Sequence, residues 1–185
     1  MSVSAEHAQS IYISSRCLYD KEHVEAALDK MAAAITDKLA DKNPLIICVL
    51  TGAIIPMGHL LTRLDFPLEI DYIHATRYQG ETAGGELHWL ANPTSDLSGR
   101  VVLIIDDILD EGHTLAGIVK HCHEEGAKDV YSAVLVEKHH DRRVTGLHAD
   151  FVGLDVDDHY VFGYGMDYKG YLRNAPGIFA VTEQS

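Results

Sequence analysis

Residues 101–119 read VVLIIDDILDEGHTLAGIV. Five consecutive aliphatic residues, Val101 to Ile105, have the composition of a strand buried on both faces. Leu115, Ile118, Val119 and Cys122 then recur at i, i+3, i+4 and i+7, one face of a helix from about Thr114 to Glu125. Between strand and helix stand Asp106, Asp107, Asp110, Glu111, Gly112, His113 and Thr114. In open α/β sheets ligands bind outside the carboxyl ends of the strands, which is where these groups fall. A glycine-containing turn that opens a helix offers unpaired N–H groups and a partial positive charge, both suited to a phosphate. Asp and Thr also serve as helix caps, and Thr114 would be a sound N-cap. Three aspartates within five positions go beyond capping, because crowded like charges destabilise a fold unless a cation or ligand compensates them.

Working outward, helical and strand patterns alternate. Residues 21–40 place Val24, Leu28, Met31, Ile35 and Leu39 at helical spacing, and Asn43-Pro44 stops that helix. Leu45 to Leu50 is a second doubly buried strand. After Pro56 a short helical piece, residues 57–64, leads to a strand near Leu68 to Arg77, with Leu68, Ile70, Tyr72 and His74 on one face. Val130 to Val136 is a further buried strand, and shorter ones are expected near Phe151 to Leu154, Tyr160 to Phe162 and Ile178 to Val181. This alternation predicts an α/β fold of right-handed βαβ units, a parallel twisted sheet flanked by helices. Residues 78–86, YQGETAGGE, hold three glycines and no large aliphatic side chain, the composition of a mobile loop. No repeat, linker or low-complexity tract interrupts the chain, so residues 1–185 are expected to form a single domain.

Composition narrows the function. With 46 % hydrophobic and 23 % charged residues, a chain of 185 residues can build a core without disulfides or a structural metal. Its 28 acidic and 15 basic residues give a net charge of −13, which argues against nucleic acid or an anionic membrane surface as partner. The three cysteines Cys17, Cys48 and Cys122 lack CxxC spacing and read as free thiols of a cytoplasmic protein. No stretch approaches the ~20 apolar residues of a membrane span. Twelve histidines include no HExxH pair, and neither His121 with His123 nor the adjacent His139 and His140 converge on one metal.

The strand with paired acids, followed by Asp110, Gly112 and Thr114, resembles the phosphoribosyl-pyrophosphate (PRPP) signature of type I phosphoribosyltransferases. Two more segments are similar to the 6-oxopurine branch of that family, the hypoxanthine-guanine phosphoribosyltransferases. One is VLVEKHHDRR (134–143), a strand ending in Lys with a following Arg pair; the other is YVFGYGMDYKGYLRNAPGI (160–178). Order and spacing agree from about residue 45 to 181.

The resemblance implies a purine salvage enzyme, Mg²⁺-dependent, that converts PRPP and hypoxanthine or guanine to the nucleoside monophosphate and pyrophosphate. It implies a small hood built from the chain termini and a homodimer or homotetramer. The 5′-phosphate would sit on the backbone of Asp110, Glu111, Gly112, His113 and Thr114, and Asp106 and Asp107 would hold the ribose hydroxyls directly or through Mg²⁺. Asp110 would act on the purine N7 as general base. Lys138 would donate to the 6-oxo group, Tyr160 would stack on the base and Val161 would offer it backbone groups. Asp167 would lie beside the purine and help bind a second Mg²⁺, and Arg173 would contact pyrophosphate. Leu50-Thr51-Gly52 matches the pyrophosphate loop, in which the family has a non-proline cis peptide. Residues 76–90 match the lid, with Tyr78 as its tyrosine. Glu111 stands where many members have Ser or Thr, so its carboxylate must point away from the phosphate. Thr51 replaces a frequent Lys or Arg, and Arg77, beside the lid, is the candidate to restore that charge. Rival readings are a xanthine- or adenine-preferring transferase, a non-catalytic PRPP-sensing regulator, and a phosphoacceptor receiver domain. The last places its paired acids near the chain start, whereas here they follow residue 100.

Overall fold

The computed structural model describes residues 3–77 and 87–182. Helix α1 (Ala5–Ser14) is capped by Ser4, whose hydroxyl accepts from His7 N–H at 3.2 Å. Strand β1 (Arg16–Asp20) follows, and its last residue caps α2 (Lys21–Leu39), Asp20 Oδ1 accepting from His23 N–H at 3.0 Å. The remaining elements are β2 (Leu45–Val49), α3 (Ile54–Leu61), β3 (Glu69–Arg77), β4 (Leu87–Ala91), β5 (Val101–Leu109), α4 (His113–Glu124), β6 (Asp129–His139), β7 (Phe151–Asp157), β8 (Val161–Phe162) and β9 (Gly177–Ala180).

Six strands form the central sheet in the order β4-β3-β2-β5-β6-β7, parallel except for β4 against β3. Every residue of β2 and Val101 to Asp106 of β5 are buried, as doubly covered strands require. Helix α2 buries Val24, Leu28, Met31, Ile35 and Leu39 against this sheet and touches β6 and β7. Helix α3 lies on β2 and β5, and α4 on β3, β5 and β6. From β2 the chain moves through α3 to β3 on one side, then returns to place β5 on the other, so the order reverses at β2 and β5. Such a reversal opens a crevice at the carboxyl ends of the two strands.

The three-stranded antiparallel sheet β1-β9-β8 forms the hood. Ile11 of α1 packs there with Phe162, Tyr168 and Ala175 in a second, smaller cluster. The hood draws β1 from the start of the chain and β8 and β9 from its end, as the family resemblance implies.

Several boundaries differ from the periodicity reading. Helix α1 and strand β1 escaped it because α1 buries only Ala8 and Ile11 and β1 draws its order from β9, far along the chain. Strand β4 takes up the end of the 76–90 stretch expected to be the lid, and its half-burial alternates residue by residue against β3. Helix α3 starts at Ile54, ahead of Pro56, which the first turn tolerates because its missing N–H has no intrahelical partner there. On β3 the face carrying Ile70 and Tyr72 is the outer one, 60 % and 46 % exposed, while Ile73 and Ala75 face the core.

Candidate functional site

Strand β5 does not stop at Ile105. Pairing of Ile108 with Val136 and of Leu109 with Glu137 on β6 carries it four residues further, so Asp106 and Asp107 belong to the strand itself. Asp107 N–H donates to Asp106 Oδ1 at 2.9 Å. Burial, with the neighbouring Asp107 charge adding to it, pushes the Asp106 carboxyl well above its ordinary range. Burial also raises Asp107, against the opposing pull of Asp106 hydrogen bonding and Arg173.

The loop after β2 faces this pair. The Leu50-Thr51 peptide is cis, and Leu50 N–H donates to Ile73 O at 2.8 Å. A Cβ on Gly52 would lie 2.1 Å from Asp107 Oδ2, so only glycine lets the loop approach the carboxylate this closely.

On the other flank, Gly112 is the N-cap of α4, with φ +85° and no side-chain cap. Thr114 is therefore not the N-cap; the helix begins one residue earlier, and the left-handed turn at Gly112 is a conformation glycine adopts without penalty. No side chain caps the start of α4, and His113 and Thr114 line the crevice, a setting in which a helix N-terminus suits an anion. Glu111 also lines the crevice, its carboxylate 3.9 Å from His113 Nε2.

The resulting cavity, about 390 Å³, is lined by Leu50, Thr51 and Gly52 from one loop and by Asp106, Asp107 and Asp110 through Thr114 from the other, with Asp167 and Arg173 closing it. A second cavity of about 200 Å³ adjoins it and is lined by Lys138, Tyr160, Val161 and Met166. Asp107, Asp110 and Asp167 line both.

Arg173 is paired rather than a free surface charge. Its Nη2 lies 2.7 Å from Asp167 Oδ1 and its Nη1 3.8 Å from Asp107 Oδ2, while Nη1 donates to Gly165 O at 2.5 Å. Asp167 Oδ2 also accepts from Gly170 N–H at 2.6 Å. Tyr160 is 51 % exposed, its ring edge-on to Tyr168 at 5.6 Å, and Val161 is buried on β8.

Lys138, near the end of β6, is buried and meets Asp110 Oδ2 at 2.7 Å. His140 meets the other oxygen, Oδ1, at 2.6 Å. Burial alone would raise the Asp110 carboxyl, but the hydrogen bonds from Lys138 and His140 outweigh it and hold the group below its ordinary range. His140 and Met166 are the residues that sequence reasoning missed. Both lie within quoted segments, His140 in 134–143 and Met166 in 160–178, but neither residue type carried a signal of its own there.

Arg77 is the last residue of β3, and Tyr78 with the expected loop 78–86 lies outside the described residues.

Among the described residues no three His, Cys, Asp or Glu side chains converge into a metal cage. Mg²⁺ rarely uses such cages; it takes one or two carboxylates and completes its shell with substrate phosphates and water. The buried Asp106–Asp107 pair, all hard oxygen and with Arg173 Nη1 3.8 Å from Asp107, fits that pattern.

Residues 14–169 match the family described as the phosphoribosyl transferase domain. The hypoxanthine-guanine-xanthine phosphoribosyltransferase of Tritrichomonas foetus is 33 % identical over 168 residues, covering 91 % of this chain and 92 % of that protein. The hypoxanthine-guanine phosphoribosyltransferase of Bacillus subtilis (strain 168) is 34 % identical over 164 residues, covering 88 % of this chain and 91 % of the relative. A hypoxanthine phosphoribosyltransferase structure from Staphylococcus aureus superposes with a TM-score of 0.88 at 28 % identity, covering 94 % of this chain and 95 % of that one. With the strand-borne acid pair, the glycine-opened helix and these relatives together, the chain belongs to the phosphoribosyltransferase family, in its hypoxanthine-guanine branch.

Proposed function

We propose that this protein joins hypoxanthine or guanine to the ribose of PRPP, forming IMP or GMP and releasing pyrophosphate. The observation that carries the reading is the position of Asp110, which lines both the cavity with the acid pair and helix opening and the one with Lys138, Tyr160 and Val161. A carboxylate at that junction can reach a base and a ribose at the same time.

The N–H groups at the start of α4 bind the 5′-phosphate, and the Thr114 hydroxyl adds a donor. Tyr160 stacks on the purine, and Val161 presents backbone groups to its edge. Lys138 leaves Asp110 to donate to the 6-oxo group, which selects 6-oxo over 6-amino bases. As the purine N9–C1′ bond forms, the C1′–O bond to pyrophosphate breaks with its electron pair, and Asp110 Oδ2 takes the N7 proton. Arg173 turns from Asp167 to the departing pyrophosphate. Asp106 and Asp107 hold the ribose hydroxyls and one Mg²⁺, and Asp167 helps hold a second. When bound, Mg²⁺ offsets the pyrophosphate charge. Water must be kept from an oxocarbenium-like transition state, and the family resemblance assigns that task to Arg77, Tyr78 and the 78–86 segment, which lies outside the described residues.

Incubating the full chain with PRPP, Mg²⁺ and each of adenine, hypoxanthine, guanine and xanthine tests the reading. Nucleotide forms with hypoxanthine and guanine and not with adenine; EDTA stops it and excess Mg²⁺ restores it. No turnover with any of the four bases would refute the assignment.

We place the enzyme in the cytoplasm, as its free thiols suggest. No helix among the described residues is long and apolar enough to cross a membrane. Cys48 and Cys122 are buried, and burial pushes both thiols up to about 11. Ile70 and Tyr72 on β3 and Leu90 on β4 are exposed apolar surface that supports a homodimer or homotetramer. Sedimentation of the purified chain checks this, and a monomer at assay concentration contradicts it.

A further inference from the structure

Lys138 occupies only one oxygen of Asp110. The other, Oδ1, meets Nε2 of His140 at 2.6 Å. The His140 side chain is 3 % exposed, and its second nitrogen, Nδ1, accepts from the backbone N–H of Arg142 at 3.1 Å. A backbone N–H can only donate, so Nδ1 is unprotonated and the ring proton of neutral His140 sits on Nε2. His140 is therefore a donor in one tautomer, aimed at Oδ1.

The segment carrying it is pinned from both sides. Arg142 binds both oxygens of Asp158, at 2.8 and 2.9 Å, and Arg143 Nη2 donates to Lys138 O at 2.7 Å while its Nη1 pairs with Glu137. The two partners of Asp110 thus differ in kind. Lys138 reaches it on a flexible four-carbon stem and lines the smaller cavity; His140 is a buried ring that lines neither cavity.

We propose that His140 is a positioning residue: it anchors Asp110 through Oδ1, keeping Oδ2 aimed at the purine when Lys138 departs for the 6-oxo group. This rests on the reading of Asp110 as acceptor of the N7 proton. His140 keeps its own proton throughout. Before transfer Nε2–H donates to a carboxylate oxygen, and afterwards to the carbonyl oxygen of the neutral acid whose Oδ2 holds the purine proton. Without that anchor, Asp110 rotates about χ1 and χ2 once Lys138 has gone, and the reacting oxygen is misplaced at the moment of proton transfer.

The test is the single-turnover rate of nucleotide formation by the full chain with saturating PRPP, Mg²⁺ and hypoxanthine, which isolates chemistry from product release. His140→Leu lowers that rate roughly 10- to 100-fold, while the PRPP KM stays within about twofold, since no PRPP contact is touched. His140→Gln, whose amide N–H can take the place of Nε2–H, restores most of the rate. His140→Asn, one methylene shorter, does not. In an Asp110→Asn background His140→Leu costs nothing further, because its effect passes through Asp110. The proposal is overturned by an unchanged rate in His140→Leu, or by a full His140→Leu penalty in the Asp110→Asn background. Should the leucine variant not fold, the glutamine and asparagine variants decide it, and equal rates for the two overturn it. An unchanged rate in Asp110→Asn alone instead sinks the underlying reading of Asp110, a separate failure.

Discussion

Gly52 and Asp107 are in contact at a distance that no side chain could share: a Cβ on Gly52 would stand 2.1 Å from Asp107 Oδ2 and 2.4 Å from its Cγ. The loop after β2 and the acid pair on β5 are therefore one construction, and the carboxylate cannot take its place unless position 52 is bare.

Gly52→Ala accordingly displaces Asp107 rather than merely stiffening the loop. The expected result is a fall in kcat/KM for PRPP of roughly 100-fold, the cost of a displacement on the order of 1 Å in a reacting assembly. Steady-state kinetics against PRPP check it. A variant with unchanged kcat/KM would mean that Asp107 is not needed where it stands.

Lys138 Nζ donates to Asp110 Oδ2 at 2.7 Å. Their replacements should separate cleanly. Lys138→Ala raises KM for hypoxanthine by roughly 10- to 100-fold, the loss of about 1.5–3 kcal/mol from a charge-assisted hydrogen bond. Asp110→Asn leaves PRPP binding intact and lowers kcat by roughly 10²- to 10⁴-fold, as loss of a general base does. Isothermal titration with PRPP and initial-rate measurements distinguish the two patterns, and equal kcat in Asp110→Asn and the parent would contradict its role.

Burial first and the Asp107 charge second push the Asp106 carboxyl well above its ordinary range in the folded chain. A raised carboxyl contributes its full stability below the ordinary carboxylate range and loses it as pH climbs toward the folded value. The parent should therefore weaken as pH rises above about 4, and Asp106→Asn, which has no charge to bury, should escape that decline. At pH 7 without divalent cation the variant is expected to be the more stable of the two, with the higher Tm. The gap should close toward pH 4 while activity is lost throughout. Thermal unfolding from pH 4 to 8 measures it, and a parent as stable as the variant at pH 7 would disprove the buried-charge account.

Tyr164 ties the segment after β8 to α2. Its hydroxyl donates to Glu25 Oε1 at 2.5 Å, and Glu25 also meets Arg63 Nη2 at 2.5 Å and His59 Nδ1 at 3.1 Å. Tyr164→Phe removes one donor from a carboxylate that keeps the Arg63 hydrogen bond, at a cost of about 1.5–3 kcal/mol. Chemical denaturation reads this directly, and no loss of stability would show the hydroxyl bond to be dispensable.

Much of the site was legible because its chemistry is local. Asp106 and Asp107 stand near the end of one strand, and Asp110, Gly112, His113 and Thr114 lead from it into one helix, so neighbourhood in the chain is neighbourhood in space. Lys138, Tyr160, Val161, Asp167 and Arg173 needed the family resemblance, since a lysine at a strand end or an arginine in a loop carries no periodic signal. Met166 and His140 escaped altogether: a methionine in a glycine-rich segment looks like filler, and His140 gains meaning only from Asp110, thirty residues away.

Periodicity by itself determined the α/β class, the amphipathic α2, the buried β2 and β5, and the acid-rich turn feeding α4, because each depends on residues within one or two turns of each other. Partners distant in sequence decided the rest. Strand β5 runs to Leu109 because β6 offers it a partner that far, and β1 exists because β9 does. Gly52 is bare because Asp107 approaches it, and the proton on His140 is fixed by an N–H from Arg142 and used on Asp110. Hydrogen-bond pairing and close packing are properties of the surfaces that meet, and only the folded chain brings those surfaces together.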